Sequence, residues 1–195
     1  MPQLLAATTI VVWLVFAVAV AGKIRGRARL REFRRSLVAT GLVPRRWATA
    51  AAATVLAAET ATLVLLLAPV TRPVGFALAV AVMAGFVTGV WLVVRRGVRA
   101  VCRCFGAAGG PLSGVHLARN LTLLGVSLAG LVASLTSATP IDPRSPVLLP
   151  VAVAAVVVAV LLIRAEDVAA LVRPAAAPDG PPRRPAAPPR RAGRG

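Results

Sequence analysis

The sequence predicts an all-α fold: a polytopic membrane helix bundle with four to five transmembrane helices, its N-terminus outside and its C-terminus in the cytoplasm. The first observation is composition, since 58% of the 195 residues are hydrophobic and 15% are charged. Soluble domains are about 45–50% apolar and about 25% charged. The second is that the apolar residues form five long runs, and the third is that arginine clusters separate these runs unevenly. Together they exclude a soluble single-domain enzyme.

The five apolar runs define the predicted spans, which cover about residues 4–22, 47–69, 74–94, 117–135 and 147–163. A helix rises about 1.5 Å per residue, so roughly 20 residues cross a hydrocarbon core about 30 Å thick. We therefore assign residues 1–173 to a membrane helix bundle. Residues 174–195 are almost entirely Pro, Ala, Arg and Gly. They lack the apolar side chains that would offset ordering entropy, which predicts a disordered tail.

Two interpretations fit the first run. Ala19-Val20-Ala21 resembles the small-residue cleavage site of a secretory signal peptide. A signal peptide, however, carries its positive charge before the apolar stretch. Here Met1-Pro2-Gln3 is uncharged and the basic cluster follows the run. The order of the charges favours a retained transmembrane span.

The basic residues orient the bundle. Of the 23 Lys and Arg residues, nine fall in 23–46, five in 95–119 and seven beyond 163, whereas the two remaining loops contain only Arg72 and Arg144. Positively charged loops stay in the cytoplasm, which predicts a multi-pass protein of the cell (inner or plasma) membrane. We expect these loops to contact anionic lipids at the cytoplasmic face of the bilayer. No stretch interleaves aromatic with basic side chains, so nucleic-acid binding is not expected.

The first basic loop also has a helical pattern. Leu30, Phe33, Leu37 and Val38 recur at helical spacing among its arginines. This pattern predicts a short amphipathic helix on the membrane surface. Gly41-Leu42-Val43-Pro44 is predicted to end it.

The only two cysteines lie in one short motif, Cys102-Arg103-Cys104. Thiols this close can form a disulfide whose strained geometry makes it labile. Arg103 favours the thiolate form and thereby its attack on a disulfide. The alternative is two thiols that stay reduced in a cytoplasmic loop. The absence of any other cysteine from the chain favours a redox pair tuned by Arg103.

Metal binding is the other use for these sulfur atoms. Cys102, Cys104 and His116 would provide three ligands. Structural zinc usually has four, and its paired cysteines are usually spaced more widely. We therefore predict no metal and no bound cofactor, and we place His116 at the interface where a helix starts.

Glu59 is the only charged residue in the second predicted span. A charge inside a bilayer costs at least about 2.5 kcal/mol on insertion scales, so it is protonated, paired or turned towards a polar interior. One interpretation is a proton relay, because disulfide reduction consumes protons. The other is a neutral acid that forms hydrogen bonds through Thr54, Thr60 or Thr62. Arg119 and Asn120, at the cytoplasmic end of the fourth span, are candidate partners.

Several residues in order resemble a known family, the methylamine utilisation protein MauE family, which is related to the DoxX-like membrane proteins. The residues that carry the resemblance are Ala21-Gly22-Lys23, Phe33, Gly41-Leu42-Val43-Pro44, Glu59, Cys102-Arg103-Cys104-Phe105-Gly106 and Arg119-Asn120. The match covers roughly residues 4–135, and the cysteine element is its most specific part. Lys23, Arg119 and Asn120 match the family motifs, and the resemblance assigns no role to them.

The resemblance implies a helper in the maturation of methylamine dehydrogenase, whose small subunit needs several disulfides and a tryptophan-derived quinone. It also implies a thioredoxin-like protein partner outside the membrane, and relatives that serve other redox pathways. The positive-inside rule places Cys102 and Cys104 in the cytoplasm, whereas maturation takes place outside. Either the cysteine segment is therefore a re-entrant loop that carries electrons across the membrane, or the protein has an indirect role in maturation.

Three functional hypotheses follow from these residues. The first is a membrane thiol–disulfide or electron-transfer component that uses Cys102 and Cys104. The second is a non-catalytic membrane scaffold or assembly factor whose cysteines are incidental. The third is a small-molecule transporter, which is disfavoured because few polar residues lie within the spans.

The charge asymmetry predicts the side of the membrane on which each loop lies. A reporter fused after Ile141 should be extracytoplasmic, and a reporter fused at Gly195 should be cytoplasmic, because the loop around Ile141 contains only Arg144 and the tail is rich in Arg. Side-specific reporter activity measures both positions. The same location at both sites would contradict the five-span topology.

Overall fold

The computed structural model describes residues 1–97, 114–136, 145–165 and 167. Within these ranges the chain forms six α-helices and one short 3₁₀ turn, and it contains no strand. The helices are α1 Pro2–Ile24, α2 Arg27–Ala39, α3 Ala48–Leu67, α4 Arg72–Arg95, α5 Gly114–Thr136 and α6 Leu148–Ile163, with the 3₁₀ turn at Arg45–Trp47 before α3. The predicted all-α class is confirmed. The predicted tail, 174–195, lies outside the described residues.

Four segments are long and apolar enough to cross a membrane: Pro2–Ile24, Arg45–Leu67, Arg72–Arg95 and Gly114–Thr136. The apolar helix α6 has 16 residues. At 1.5 Å per residue it extends only about 24 Å, less than a hydrocarbon core of about 30 Å. The described part of the chain therefore has four full-length span candidates and a shorter fifth apolar helix. This agrees with the predicted bundle of four to five membrane helices.

Helix α1 lies at the centre of the bundle, where it contacts α2, α3, α5 and α6. Its side chains Val12, Val15 and Phe16 are at most 2% exposed. They form one core with Phe76 of α4 and Leu123 of α5. Because α1 supplies the middle of this core, the bundle depends on the first span for its packing.

Helix α6 packs on α1 through small residues. Its buried residues are Ala155 and Ala159, one helical turn apart. Small side chains let two helices approach closely in a membrane. The larger residues of α6, such as Val153, Val157 and Leu161, are exposed. This outer apolar surface suits contact with lipid chains rather than water.

Helix α2 covers one end of the bundle, between the spans α1 and α3, and it contacts both. It buries Phe33 alone, while most of its arginines are exposed. It ends at Ala39, and Gly41 follows with a positive φ of 70°. A left-handed glycine at this place is a common helix stop. The helix thus has the amphipathic character that the spacing of its apolar residues predicts.

A close approach of α4 and α5 depends on Gly130. A Cβ atom added at Gly130 would collide with the ring of Phe76 on α4. Phe76 is fully buried, so its ring has little space into which it could move. Gly125 lies on the same helix α5, but a Cβ atom there would meet nothing within 4 Å. The two glycines therefore form a matched pair for measuring this contact.

We expect Gly130→Ala to destabilise the bundle by about 1–3 kcal/mol, because overpacking forces side chains and backbone to shift. Gly125→Ala should be neutral or slightly stabilising, since alanine has the higher helix propensity and the site is open. Thermal unfolding of the purified proteins in one detergent measures both. Equal unfolding temperatures for the two variants would contradict the close packing of Gly130 on Phe76.

Candidate functional site

A buried ion pair joins α1 to α3. Nζ of Lys23, in the last turn of α1, donates hydrogen bonds to both carboxylate oxygens of Glu59, at 2.7 Å to Oε1 and 2.8 Å to Oε2. Each of the two side chains is 2% exposed. An isolated charge in such a place is very unfavourable, and pairing with hydrogen bonds offsets much of that cost. Each residue therefore provides the counter-charge that keeps the other inside the bundle.

Two phenylalanine rings flank the Lys23 ammonium group. The ring centroid of Phe33, on α2, lies 5.0 Å from Nζ, and that of Phe86, on α4, lies 6.0 Å away. The negative face of an aromatic ring attracts a cation within about 6 Å. Helices α1, α2, α3 and α4 thus all contribute to the surroundings of one ammonium group.

The observed partner of Glu59 was not among those considered from the sequence. The Thr60 hydroxyl donates to the carbonyl of Leu56 at 2.8 Å, and the Thr62 hydroxyl donates to the carbonyl of Ala58 at 2.9 Å. Both threonines thus bond to their own helix. The sequence did contain a signal that could have indicated Lys23. It is the only lysine of the chain, and it lies at the end of the first span, whereas Glu59 lies in the second.

The start of α5 supplies a buried polar face. His116, Arg119 and Asn120 are 4%, 6% and 6% exposed. Their spacing of three and four residues places them on one side of the helix. His116 was expected at an interface, and it does lie near the start of α5, but it is buried there. Arg119 and Asn120, the candidate partners of Glu59, lie on this same buried face.

A cavity of about 470 Å³ lies between α2, α3, α4 and α5. Its polar lining residues are Ser36, Thr40, Thr54, His116, Arg119 and Asn120. The rest of the wall is apolar and includes Ala58 and Phe86. Ala58 precedes Glu59 in the chain, and Phe86 flanks Lys23, so the cavity borders the ion pair. Among the described residues its lining contains no acidic side chain and includes the basic side chain of Arg119.

Asn120 contributes an amide to this wall, and the residue is 6% exposed. An amide side chain both donates and accepts hydrogen bonds, so it can bind a polar atom that enters the cavity. The cavity can therefore hold a molecule or segment that is mostly apolar and carries one hydrogen-bonding group.

The predicted redox motif, Cys102-Arg103-Cys104, lies outside the described residues. The segment that contains it, 98–113, follows α4 and precedes α5. Residues near the end of α4, Gly89 and Val90, and His116 at the start of α5 line the cavity. The described parts of the chain on either side of this segment therefore both contribute to the cavity.

The prediction that the chain holds no metal remains a prediction. Among the described residues no group of three or more His, Cys, Asp or Glu side chains comes together. The alternative ligand set contained Cys102 and Cys104, which lie outside these residues. His116, the third member of that set, is in the cavity wall.

The family model for the methylamine utilisation protein MauE matches residues 1–133. The chain belongs to the MauE family. The match contains the ion pair, the cysteine motif and all the polar residues of the cavity wall, and it ends before α6. No curated protein and no solved structure matches the sequence significantly. In this MauE family member, the match thus includes α1 to α4 and all but the last residues of α5, and α6 lies beyond it.

The ion pair predicts strong coupling between two substitutions. Lys23→Met and Glu59→Leu should each destabilise the protein by about 3–5 kcal/mol, because each leaves an uncompensated buried charge. The double variant removes both charges and should recover most of that loss. Thermal unfolding in detergent measures the cycle.

The exposed pair between Arg29 and Glu32 provides the control. Their closest atoms are 3.6 Å apart, and both side chains are more than a third exposed. Arg29→Gln should therefore change stability by less than about 1 kcal/mol. Additive losses in the Lys23→Met and Glu59→Leu cycle would show that the two charges are stabilised independently.

Proposed function

We propose that this multi-pass MauE family protein is a thiol–disulfide helper in the maturation of an extracytoplasmic redox enzyme, such as methylamine dehydrogenase. The observation that supports it is the cavity lined by α4 and α5, the two helices that precede and follow segment 98–113 in the chain. This cavity combines apolar walls with the buried side chains Arg119 and Asn120. It offers a place at which a cysteine segment and a partner polypeptide meet next to the membrane.

The proposed chemistry is exchange between Cys102, Cys104 and a dithiol partner of the thioredoxin-like class. One thiolate attacks a sulfur atom of the partner's disulfide and releases the partner's other sulfur as thiolate. The second cysteine then attacks the sulfur atom of the first in the mixed disulfide and releases the partner's remaining sulfur as thiolate. The pair ends as a disulfide, and the partner gains two electrons. The two cysteines lose two protons to solvent, and the partner's two sulfur atoms take up two from it. The reverse sequence passes the same electrons in the opposite direction.

Arg103 and Glu59 have supporting roles in this proposal. The guanidinium group of Arg103 favours the thiolate of its two neighbours, which is the attacking species. A proton relay through Glu59 includes Lys23, since both carboxylate oxygens are bonded to Nζ. The ion pair is therefore the unit that would take up or release a proton, and not the carboxyl group alone.

The side of the membrane on which thiol exchange takes place depends on the orientation of the bundle. In the cell (inner or plasma) membrane, the charge asymmetry puts segment 98–113 on the cytoplasmic side. Exchange with an extracytoplasmic partner then requires a re-entrant segment, which is tolerated at membrane depth where it lines a cavity or is buried in protein. The polar wall formed by α5 provides such surroundings.

A redox pair predicts a specific mutational pattern. Cys102→Ser and Cys104→Ser should each abolish maturation of the partner enzyme, and the double variant should be no worse than either single one. The two sulfur atoms act as one unit, so their effects are not additive. Complementation of a deletion strain, read as active partner enzyme, measures this. Wild-type function in both single variants would favour the scaffold hypothesis.

The residue between the cysteines allows a graded test. Arg103→Glu should slow exchange without abolishing it, because it disfavours the thiolate and removes no sulfur. Arg103→Lys retains the charge and is the matched control. Thiol labelling of membranes with and without reductant follows the rate at which the pair is reoxidised. Thiols that are always free to react would contradict the redox proposal while leaving the membrane fold intact.

A further inference from the structure

Four arginines from two elements line one surface pocket of the bundle. Arg31, Arg34 and Arg35 come from α2, and Arg45 comes from the 3₁₀ turn before α3. The pocket has a volume of about 410 Å³, and all four residues are exposed. No acidic side chain of the described residues lines it. The fold thus gathers four positive charges that are separated by up to fourteen residues in sequence.

These four guanidinium groups have no counter-charge in the described part of the chain. None of them forms an ion pair or a side-chain hydrogen bond there. Arg29, on the same helix, is different, because it lies 3.6 Å from the carboxylate of Glu32. Like charges that are held together repel one another, so an external anion that binds among them would relieve the repulsion.

The position of the pocket indicates where its anion comes from. Helix α2 joins the end of α1 to the start of α3, and both are span candidates. The pocket therefore lies at the boundary between hydrocarbon and water, at the level of lipid headgroups. Its remaining lining residues are Val38, Ala39 and Ala48. This apolar part suits the glycerol and first acyl carbons of a lipid, whereas a soluble anion would gain little from it.

The number and type of the basic groups indicate the headgroup. Arginine presents a planar fork of donors that matches phosphate oxygens in pairs. One phosphodiester carries a single negative charge, which is too little to neutralise four guanidinium groups. Two phosphates on one molecule offer each phosphate a pair of guanidinium groups. From this we infer that the four-arginine pocket binds a phospholipid whose headgroup carries two phosphates, of the diphosphatidylglycerol class.

This inference is independent of the proposed thiol chemistry, because it uses neither the cysteines nor the cavity beside the ion pair. It also goes beyond general attraction of basic loops to an anionic surface. General attraction depends on net charge alone, whereas a site depends on which arginines are present. The chain offers a control of equal charge, since Arg25, Arg27 and Arg46 are exposed on the same loop but do not line the pocket.

The test is lipid binding by the purified full-length protein in nanodiscs. Diphosphatidylglycerol in a phosphatidylcholine background is compared with phosphatidylglycerol at equal total charge, and native mass spectrometry counts the retained lipids. The triple variant Arg31→Gln, Arg34→Gln, Arg45→Gln should weaken retention of diphosphatidylglycerol about tenfold more than the triple variant Arg25→Gln, Arg27→Gln, Arg46→Gln, which corresponds to about 1.4 kcal/mol. Equal losses in the two triples would overturn the site.

Two further arms separate the sources of the phosphate. Phosphatidylglycerol retained as strongly as diphosphatidylglycerol at equal charge would overturn recognition of paired phosphates. Soluble pyrophosphate that displaces the lipid at low concentration would overturn the lipid as ligand and leave a soluble anion in its place. A triple lysine variant, Arg31→Lys, Arg34→Lys, Arg45→Lys, keeps the charge and the fold. Its expected weaker retention supports recognition by arginine forks, and unchanged retention contradicts it.

Discussion

The ion pair between Lys23 and Glu59 is the interaction on which the rest of the bundle depends. Neither charge is tolerable alone in an apolar interior. Together they connect the last turn of α1 to the middle of α3 through two hydrogen bonds of 2.7 and 2.8 Å. Because the bond geometry is directional, it limits how α1 and α3 slide along each other. Burial of apolar surface is non-directional and sets no such register by itself.

The same pair explains why α2 folds back over the end of the bundle. Phe33 is the only residue that α2 buries, and its ring lies 5.0 Å from the Lys23 ammonium group. Phe86 brings α4 to the same cation. One charge therefore positions an interfacial helix and two spans relative to α1. The arginines of α2 then remain on the outside, where they are available to lipid headgroups.

The cavity is a consequence of this arrangement and of small residues. Ala51, Ala58, Ala81, Gly85 and Gly89 leave space between α3 and α4 that larger side chains would fill. On the other side α5 closes the space with His116, Arg119 and Asn120. Polar groups inside an apolar bundle are costly, so their concentration at one end is a mark of function rather than of stability. The match to the MauE family model covers all of these residues, whereas α6 lies beyond it.

Much of the fold was determined by the sequence alone. Apolar runs of about 20 residues have few stable forms other than membrane helices, because a bilayer requires every backbone group to be bonded within its own segment. The spacing of Leu30, Phe33 and Leu37 likewise predicted the amphipathic helix α2. The family was predicted from ordered motifs that include Lys23 and Glu59. The apolar runs and the α2 pattern are local signals, which depend only on residues that are neighbours in the chain. The family resemblance depends only on the order of short motifs along the chain.

The partners of the polar residues were decided by the tertiary structure. Glu59 was recognisable as an unusual charge, yet its bond to Lys23 joins residues 36 positions apart, and no local pattern specifies that distance. Thr60 and Thr62 lie only one and three residues from Glu59, but their hydroxyls bond to the preceding turn of their own helix. The gathering of Arg31, Arg34, Arg35 and Arg45 around one pocket likewise needs the turn between α2 and α3. The sequence shows which polar and charged side chains are unusual, whereas only the packing of the helices decides which of them come into contact.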